Sequence, residues 1–388
     1  MTPTKLPDFR AFCQQRFHLA HKAATVRDSR GQVDIPPSTV FSAVFLMGTM
    51  GWGSLLSCDR MLRTPVGKRW FRQQAPAVSD TTMARSLEQM QLVQLRQNLL
   101  DSYRLGVVDG RSKCDLHGGK QRIGIIDGSG FGRLLASCFE IVGPVSLMVD
   151  LEPMEKRGKE LPAGYALLRR LKAKLGTGFV DLILGDGLYL NAPFFNLCLD
   201  ELKSDVLVKT DEIGLRIIQD AEGLFRAKDD PAFDIVTVCG VDTMRMRSYQ
   251  ITQAGGFFHA GIDAPLTVAK VEEVVIRTGE VLTFWVVTSA SCLTPEELRE
   301  LAHLRWDVEN NGFKAANQTV TTKRIYSHNP HAQVAVLLIL LTVCNLLFLF
   351  YSQEKSRLLD YLGVCPTRQL GIELLRTFLT VSAYIAYG

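Results

Sequence analysis

The sequence predicts an α/β fold in which a mixed sheet is flanked by helices, interrupted by a β-rich insertion and preceded by a helical region. Three observations predict it. At Arg122 the apolar pattern changes from helical to extended spacing. Two short apolar runs, Ile123-Gly-Ile-Ile-Asp127-Gly and Val180-Asp-Leu-Ile-Leu-Gly-Asp186-Gly, each end in an aspartate and a glycine turn. Residues 211–282 then lose helical periodicity before a helix with clear start signals opens at Thr294.

Length and composition bound the reading. A chain of 388 residues, 47% hydrophobic and 22% charged, has room for two or three domains and excludes a disordered polymer. A net charge of +4 permits an acidic polymer as partner without requiring one. The nine cysteines form no CxxC pair, and most lie in apolar runs, so they read as core residues of a reducing compartment. Cys114 and His117 are the one near-metal spacing, and no second pair completes a zinc site.

Residues 1–115 read as helical, with Ser38 and Thr39 ahead of the apolar stretch Val40–Met50. Ser79 or Asp80 caps a further helix, and the span 75–92 suits a helix-turn-helix with Arg85 as its natural phosphate or base contact. A glycine- and lysine-containing linker follows. Three strands, near 123–130, 136–142 and 146–151, are spaced as an antiparallel meander. A basic helix over Gly164–Leu175 carries Arg169, Arg170, Lys172 and Lys174. After the Asp186 strand come a helix over Asn191–Leu202 and a strand over Asp205–Thr210, closing the first core segment at 120–210. The second core segment, 283–353, opens on the extended run through Phe284 and Trp285. Residues 354–388 read as a C-terminal helical region.

Thr294, Pro295 and Glu297 spell an N-cap, a first-turn proline and a capping box. In the helix they start, Leu298, Leu301, Ala302, Arg305, Val308 and Glu309 fall at spacings of three and four, so two charged residues share the apolar stripe. Charge on such a stripe needs a partner or a ligand. Further on, Val334–Tyr351 is free of charge yet contains Thr342 and Asn345, and it reads as a buried core helix rather than a membrane anchor.

Asp127, Asp186 and Glu309 are then candidates for one site. Carboxylates held close together repel, and a divalent cation relieves them. Two hard Mg²⁺ or Mn²⁺ ions about 3.5 to 4 Å apart stabilise both oxygens of an in-line phosphoryl displacement.

On Ile126-Asp127-Gly-Ser, Leu184-Gly-Asp186-Gly-Leu-Tyr and Leu304-Arg305-Trp-Asp-Val-Glu309-Asn-Asn-Gly-Phe-Lys, the chain resembles DDE transposases of the bacterial insertion-sequence type. The resemblance spans Gln121 to about Tyr351 and implies an RNase H-like core with a β-rich insertion between the second Asp and the Glu. It implies that Asp127, Asp186 and Glu309 bind Mg²⁺ or Mn²⁺ and that the enzyme cuts and joins DNA strands at transposon ends. The partners implied are double-stranded DNA, both terminal inverted repeats and target, and a second copy of the chain in a synaptic homodimer, in the bacterial cytoplasm. Arg305 matches the family arginine that contacts terminal phosphates. Where many relatives carry a tyrosine before it and a lysine after the glutamate, this chain has Ala302 and Ala316, with His303 and Lys314 as the nearest polar substitutes. Phe284 or Trp285 would stack a flipped base, as in relatives that excise through a hairpin. Cationic contacts to DNA would come from Arg169, Arg170, Lys323 and Arg324, joined by Arg245 and Arg247 of the insertion. A catalytically impaired, transposase-derived DNA-binding protein is the alternative.

Overall fold

The computed structural model describes residues 9–31, 33–65, 68, 78–116, 118–227, 234–307, 314–362, 369–374 and 376. Helices come first, as their apolar spacing predicts: α1 (Phe9–Arg16), α2 (Leu19–Thr25), α3 (Pro37–Met50), α4 (Leu55–Leu62), α5 (Asp80–Gln89) and α6 (Leu92–Val108). Helix α3 takes in Ser38 and Thr39 and starts at Pro37 with no side-chain cap, a proline holding the first-turn φ. Ser79, not Asp80, caps α5, its hydroxyl accepting the Thr82 N–H at 3.1 Å. The expected turn before α5 falls largely in residues 69–77, outside the described residues.

The stretch read as a linker folds into a hairpin of β1 (Cys114–Leu116) and β2 (Gly119–Gln121). The meander follows as β3 (Ile123–Phe131), β4 (Leu134–Val142) and β5 (Leu147–Pro153), paired antiparallel in turn. Helix α7 (Glu160–Leu175) crosses to β6 (Leu182–Gly185), which lies parallel to β3. All of β6 is buried, as expected of a parallel strand covered on both faces. A short helix α8 (Ala192–Asn196), capped by Asn191, and an irregular helical turn then lead to β7 (Asp205–Thr210), parallel to β6.

Residues 211–282 are not wholly β. They begin with α9 (Arg216–Arg226), whose Ile217, Ile218, Ala221 and Phe225 are buried, and continue as β8 (Val236–Asp242), β9 (Arg247–Phe257) and β10 (Leu266–Val275). Nor do they stand apart. Through β11 (Val281–Thr288), which pairs with both β10 and β7, they extend one mixed sheet of nine strands, ordered β5-β4-β3-β6-β7-β11-β10-β9-β8. Helix α10 (Pro295–Asp307) packs across β6, β7 and the insertion strands. Its start is the predicted capping box: the Thr294 N–H donates to Glu297 Oε2 at 2.9 Å and the Glu297 N–H to Thr294 Oγ1 at 3.2 Å. Helix α11 (Lys314–Val320) precedes α12 (Pro330–Leu362).

Helix α12 is long and apolar enough to cross a membrane, but its apolar window is entirely buried in the protein, among α3, α5, α6 and β5. Its side chains pack so close to α3 that a Cβ on Gly48 would lie 2.8 Å from Leu340 Cδ2. Asn345 shows why a polar residue belongs there. Its Oδ1 accepts the Met148 N–H at 3.0 Å, and its Nδ2 donates to the Met148 carbonyl at 2.8 Å and to Ser102 Oγ at 2.9 Å. One side chain thus satisfies both backbone groups of Met148 on the sheet edge at β5. Asn345→Leu leaves both buried Met148 groups unpaired and is expected to cost about 1–3 kcal/mol for each. Urea unfolding at constant slope measures this loss, and a cost under about 1 kcal/mol would mean that another donor takes over.

Candidate functional site

Strand register brings the two aspartates together. In β3 and β6, Ile123 faces Leu182 and Ile125 faces Leu184, so one further step of two residues sets Asp127 beside Asp186. In β6 and β7, Leu182 faces Asp205 and Gly185 faces Val208, so the same row continues to Lys209. Neighbouring strands lie about 4.8 Å apart, and residues of one row share a face. Asp127, midway along β3, and Asp186, just past the C-terminal end of β6, therefore stand side by side where the parallel pairing of the two strands ends, the kind of edge at which open α/β sheets bind ligands.

Each aspartate is held by local backbone. Asp127 Oδ1 accepts the Gly128 N–H at 2.9 Å, and Asp186 caps a helical turn, its Oδ1 accepting the Leu188 N–H at 3.0 Å. Arg305 completes the cluster. The described part of the apolar stripe on α10 is buried as predicted, with Leu298 and Ala302 fully enclosed and Arg305 8% exposed. From there Arg305 Nη1 reaches Asp127 Oδ2 at 3.7 Å, while its buried Nε has no hydrogen-bond partner. Glu309, the third expected acid, lies outside the described residues.

The sequence reading missed Glu160. It began the basic helix at Gly164, but α7 starts at Glu160, with Pro162 tolerated in its first turn. That earlier start carries Glu160 to the far side of the same sheet edge. Tyr189 donates to Glu160 Oε1 at 3.0 Å, and a Cβ on Gly128 would lie 2.3 Å from Glu160 Oε2, so the carboxylate occupies the space that glycine leaves open. Burial raises the pKa of Glu160 and the Asp186 charge adds to the rise, while bonds from Tyr189 and Gly128 and the Arg305 charge oppose it. The Tyr189 phenol is pushed up as well, by burial first and by Glu160 second. The readable signal was a glutamate two residues before a proline at a helix start.

Lys209 was also missed. It is 4% exposed, and its Nζ sits 4.6 Å from the centre of the Phe284 ring. Burial, helped by the nearby Arg305 and Arg247 charges, lowers its pKa to about 8 against the pull of Asp211 and Glu273.

The expected aromatic stackers are corrected. Phe284 and Trp285 are each 2% exposed, because consecutive residues of β11 point to opposite faces and both faces are covered. Trp285 stacks on Phe225 of α9 at 6.0 Å, and Phe284 meets His303 of α10 edge-on at 5.8 Å. Neither offers a ring face to a base in this conformation. His303, expected as a substitute in the phosphate clamp, is buried and turned away, its Nε2 2.6 Å from Glu273 Oε1. Ala302 and Ala316 are buried too.

Of the expected cationic contacts, Arg85, Lys314, Lys323 and Arg324 are exposed. Arg169 is exposed but pairs with Glu201 at 3.0 Å. Arg170 is engaged inside the fold, its guanidinium 2.7 Å from Asp150 and 2.5 Å from Glu152, where Arg96 of α6 joins the same carboxylates. Arg245 pairs with Asp242 and Glu300, and Arg247 with Glu273. Cys114 donates its thiol to the Val142 carbonyl and is held protonated by burial, while His117 lies outside the described residues. Cys13, Cys58, Cys138, Cys198 and Cys344 are buried free thiols as predicted, whereas Cys239 and Cys292 are exposed.

Among the described residues no group of three or more His, Cys, Asp and Glu side chains is arranged to hold a metal ion. The paired carboxylates of Asp127 and Asp186 are oxygen donors only, a set that fits a hard divalent cation rather than zinc. No protein-family model matches the chain, and no curated protein matches it significantly.

Proposed function

We propose that this chain is a DDE-type DNA transposase with an RNase H-like core, cutting and joining strands at transposon ends. The observation that carries the reading is the row formed by Asp127 and Asp186 on adjacent parallel strands, with Arg305 reaching in from α10. The antiparallel β5-β4-β3 meander continued by parallel β6 and β7 supports an RNase H-like core, since it sets both aspartates on neighbouring central strands. Asp127 and Asp186 would hold Mg²⁺ or Mn²⁺, with Glu309 added by the resemblance. Bound there, the cations would activate the attacking oxygen and stabilise the leaving one.

The chain's own residues do the rest. The backbone N–H groups of Gly128 and Leu188 fix the orientation of the two carboxylates, and the Nε of Arg305 is a buried donor left for a phosphate oxygen. The exposed Arg85, Lys314, Lys323 and Arg324 supply cations for duplex DNA, and two copies of the chain would join two ends in the bacterial cytoplasm. A specific observation also favours a DNA-binding descendant without strand transfer: Ala302 and Ala316 are buried apolar residues where relatives carry tyrosine and lysine.

Incubating the full chain with duplexes made from the inverted repeats that border its coding frame decides between the two. End cleavage is expected with Mg²⁺ or Mn²⁺ and none with EDTA. Binding should weaken steeply with salt, the logarithmic slope being about −0.9 for each phosphate neutralised. Binding without cleavage at either end in either metal would leave the non-catalytic reading.

A further inference from the structure

We propose that the outer edge of β8 is a dimer interface, pairing antiparallel with β8 of a second copy about a twofold axis at Cys239, so that two nine-stranded sheets become one.

The two edges of the sheet are finished differently. At β5 the outward backbone groups are covered: Asn345 holds both groups of Met148, and Arg96 of α6 and Arg170 of α7 donate to the Leu151 carbonyl. At β8 nothing of the kind is found among the described residues. Its one strand neighbour there is β9, and no other element bonds to its backbone. A bare edge is a template for another strand, and proteins that stay monomeric blunt it with lysine, proline or a bulge. Val236-Thr-Val-Cys-Gly-Val-Asp242 has neither lysine nor proline, and its pairing with β9 runs without a register shift. Val236, Thr237, Cys239 and Val241 are exposed, and the turn that follows adds Met244 at 94% exposure.

Charge and register favour a second copy as the occupant. Strand β8 carries no cation, so its edge does not fit nucleic acid. Its one charge, Asp242, is already paired with Arg245 and Arg299. A strand laid antiparallel on its own copy places one residue opposite itself. Centred on Val238, the pairing would set Asp234 against Asp242, like charges face to face. Cys239 is the middle residue of β8, so a pairing centred there engages all seven residues and keeps those carboxylates apart. It sets Thr237 against Val241 on the exposed face. Val238 then meets Gly240 on the other face, where Tyr249 lies over Gly240 and Arg299 over Tyr249. Twofold pairing uses both bare edges at once, so it closes at two copies.

The test uses the full chain without DNA or metal, so its outcome stands apart from the transposase reading. Light scattering after size exclusion at micromolar concentration should give a dimer. Thr237 and Val241 are exposed, so replacing them spares the fold. Thr237→Lys combined with Val241→Lys puts like charges opposite each other twice across the axis and should weaken association about a hundredfold. Thr237→Lys combined with Val241→Glu puts opposite charges there and should restore the dimer. Diamide should link the two copies through Cys239, whose Cα atoms would stand about 4.5 to 5.5 Å apart. Cys239→Ser should abolish that link, and Cys292→Ser, at the other exposed thiol among the described residues, should not. A chain that stays monomeric overturns the proposal. So does a dimer that the paired lysines leave as strong as before, or one in which Cys239 forms no link, since the contact then lies elsewhere.

Discussion

Asp186→Asn is expected to reduce metal-dependent strand cleavage on the order of 10³-fold or more, since it removes a charged oxygen ligand at the point where transition-state charge is stabilised. The fold should survive. Asparagine caps helices as well as aspartate, and its side-chain oxygen still accepts the Leu188 N–H that Asp186 now accepts at 3.0 Å. Thermal unfolding within a few degrees of the unaltered protein, with duplex binding retained, would assign the loss to chemistry and not to stability. Asp127→Asn should behave alike in cleavage, although it also weakens the 3.7 Å pairing with Arg305. Cleavage that stays within tenfold of normal in both variants would remove the aspartates from the mechanism.

The second large effect lies in the insertion. Glu273 of β10 is fully buried, and it binds Arg247 of β9 together with Arg299 and His303 of α10, at 2.6 Å for each of the last two. Arg299 also meets Asp242 at 3.1 Å and lies 4.4 Å over the Tyr249 ring. The network ties the insertion strands to the helix that carries Arg305. Removing one partner of a buried ion cluster leaves uncompensated charge, so Glu273→Ala is expected to cost about 3–5 kcal/mol, measured by denaturant unfolding near pH 7.

The pH dependence has a definite sign. Burial works to raise Glu273, but hydrogen bonds from His303 and Arg247 and the charges of His303 and Arg299 outweigh it and bring its pKa from 4.5 down to about 2. A depressed carboxylate adds stability above its unfolded pKa and loses it as pH falls through the folded one. The gap between the unaltered protein and Glu273→Ala should therefore be widest near neutrality and narrow as pH falls from about 4.5 towards 2. A gap that does not change over that range would mean that Glu273 acts by packing alone.

Much of the local architecture was legible in the residues. The capping box at Thr294, the meander after Arg122, the strand ending just before Asp186 and the buried apolar helix around Asn345 are where periodicity and capping put them, whereas the strand expected to end at Asp127 continues through its glycines to Phe131, paired with β4. Such signals are local: a turn glycine, a cap or an alternating run carries its meaning within a few residues. The same local view went wrong where a proline sat inside a helix start, which hid Glu160, and where glycines in 110–122 read as a linker although they close a hairpin.

What the sequence by itself determined is thus a set of strands, helices and strand-borne acids in a given order. Which residues meet was decided only by the tertiary structure. Strand register set Asp127, Asp186 and Lys209 in one row, and packing on both faces of β11 buried Phe284 and Trp285. Arg170 found its carboxylates on β5, and His303 found Glu273 on β10. The reason is physical: a charged or aromatic side chain takes whichever partner the fold brings within a few ångströms, and those partners lie on strands that the chain reaches only after many residues.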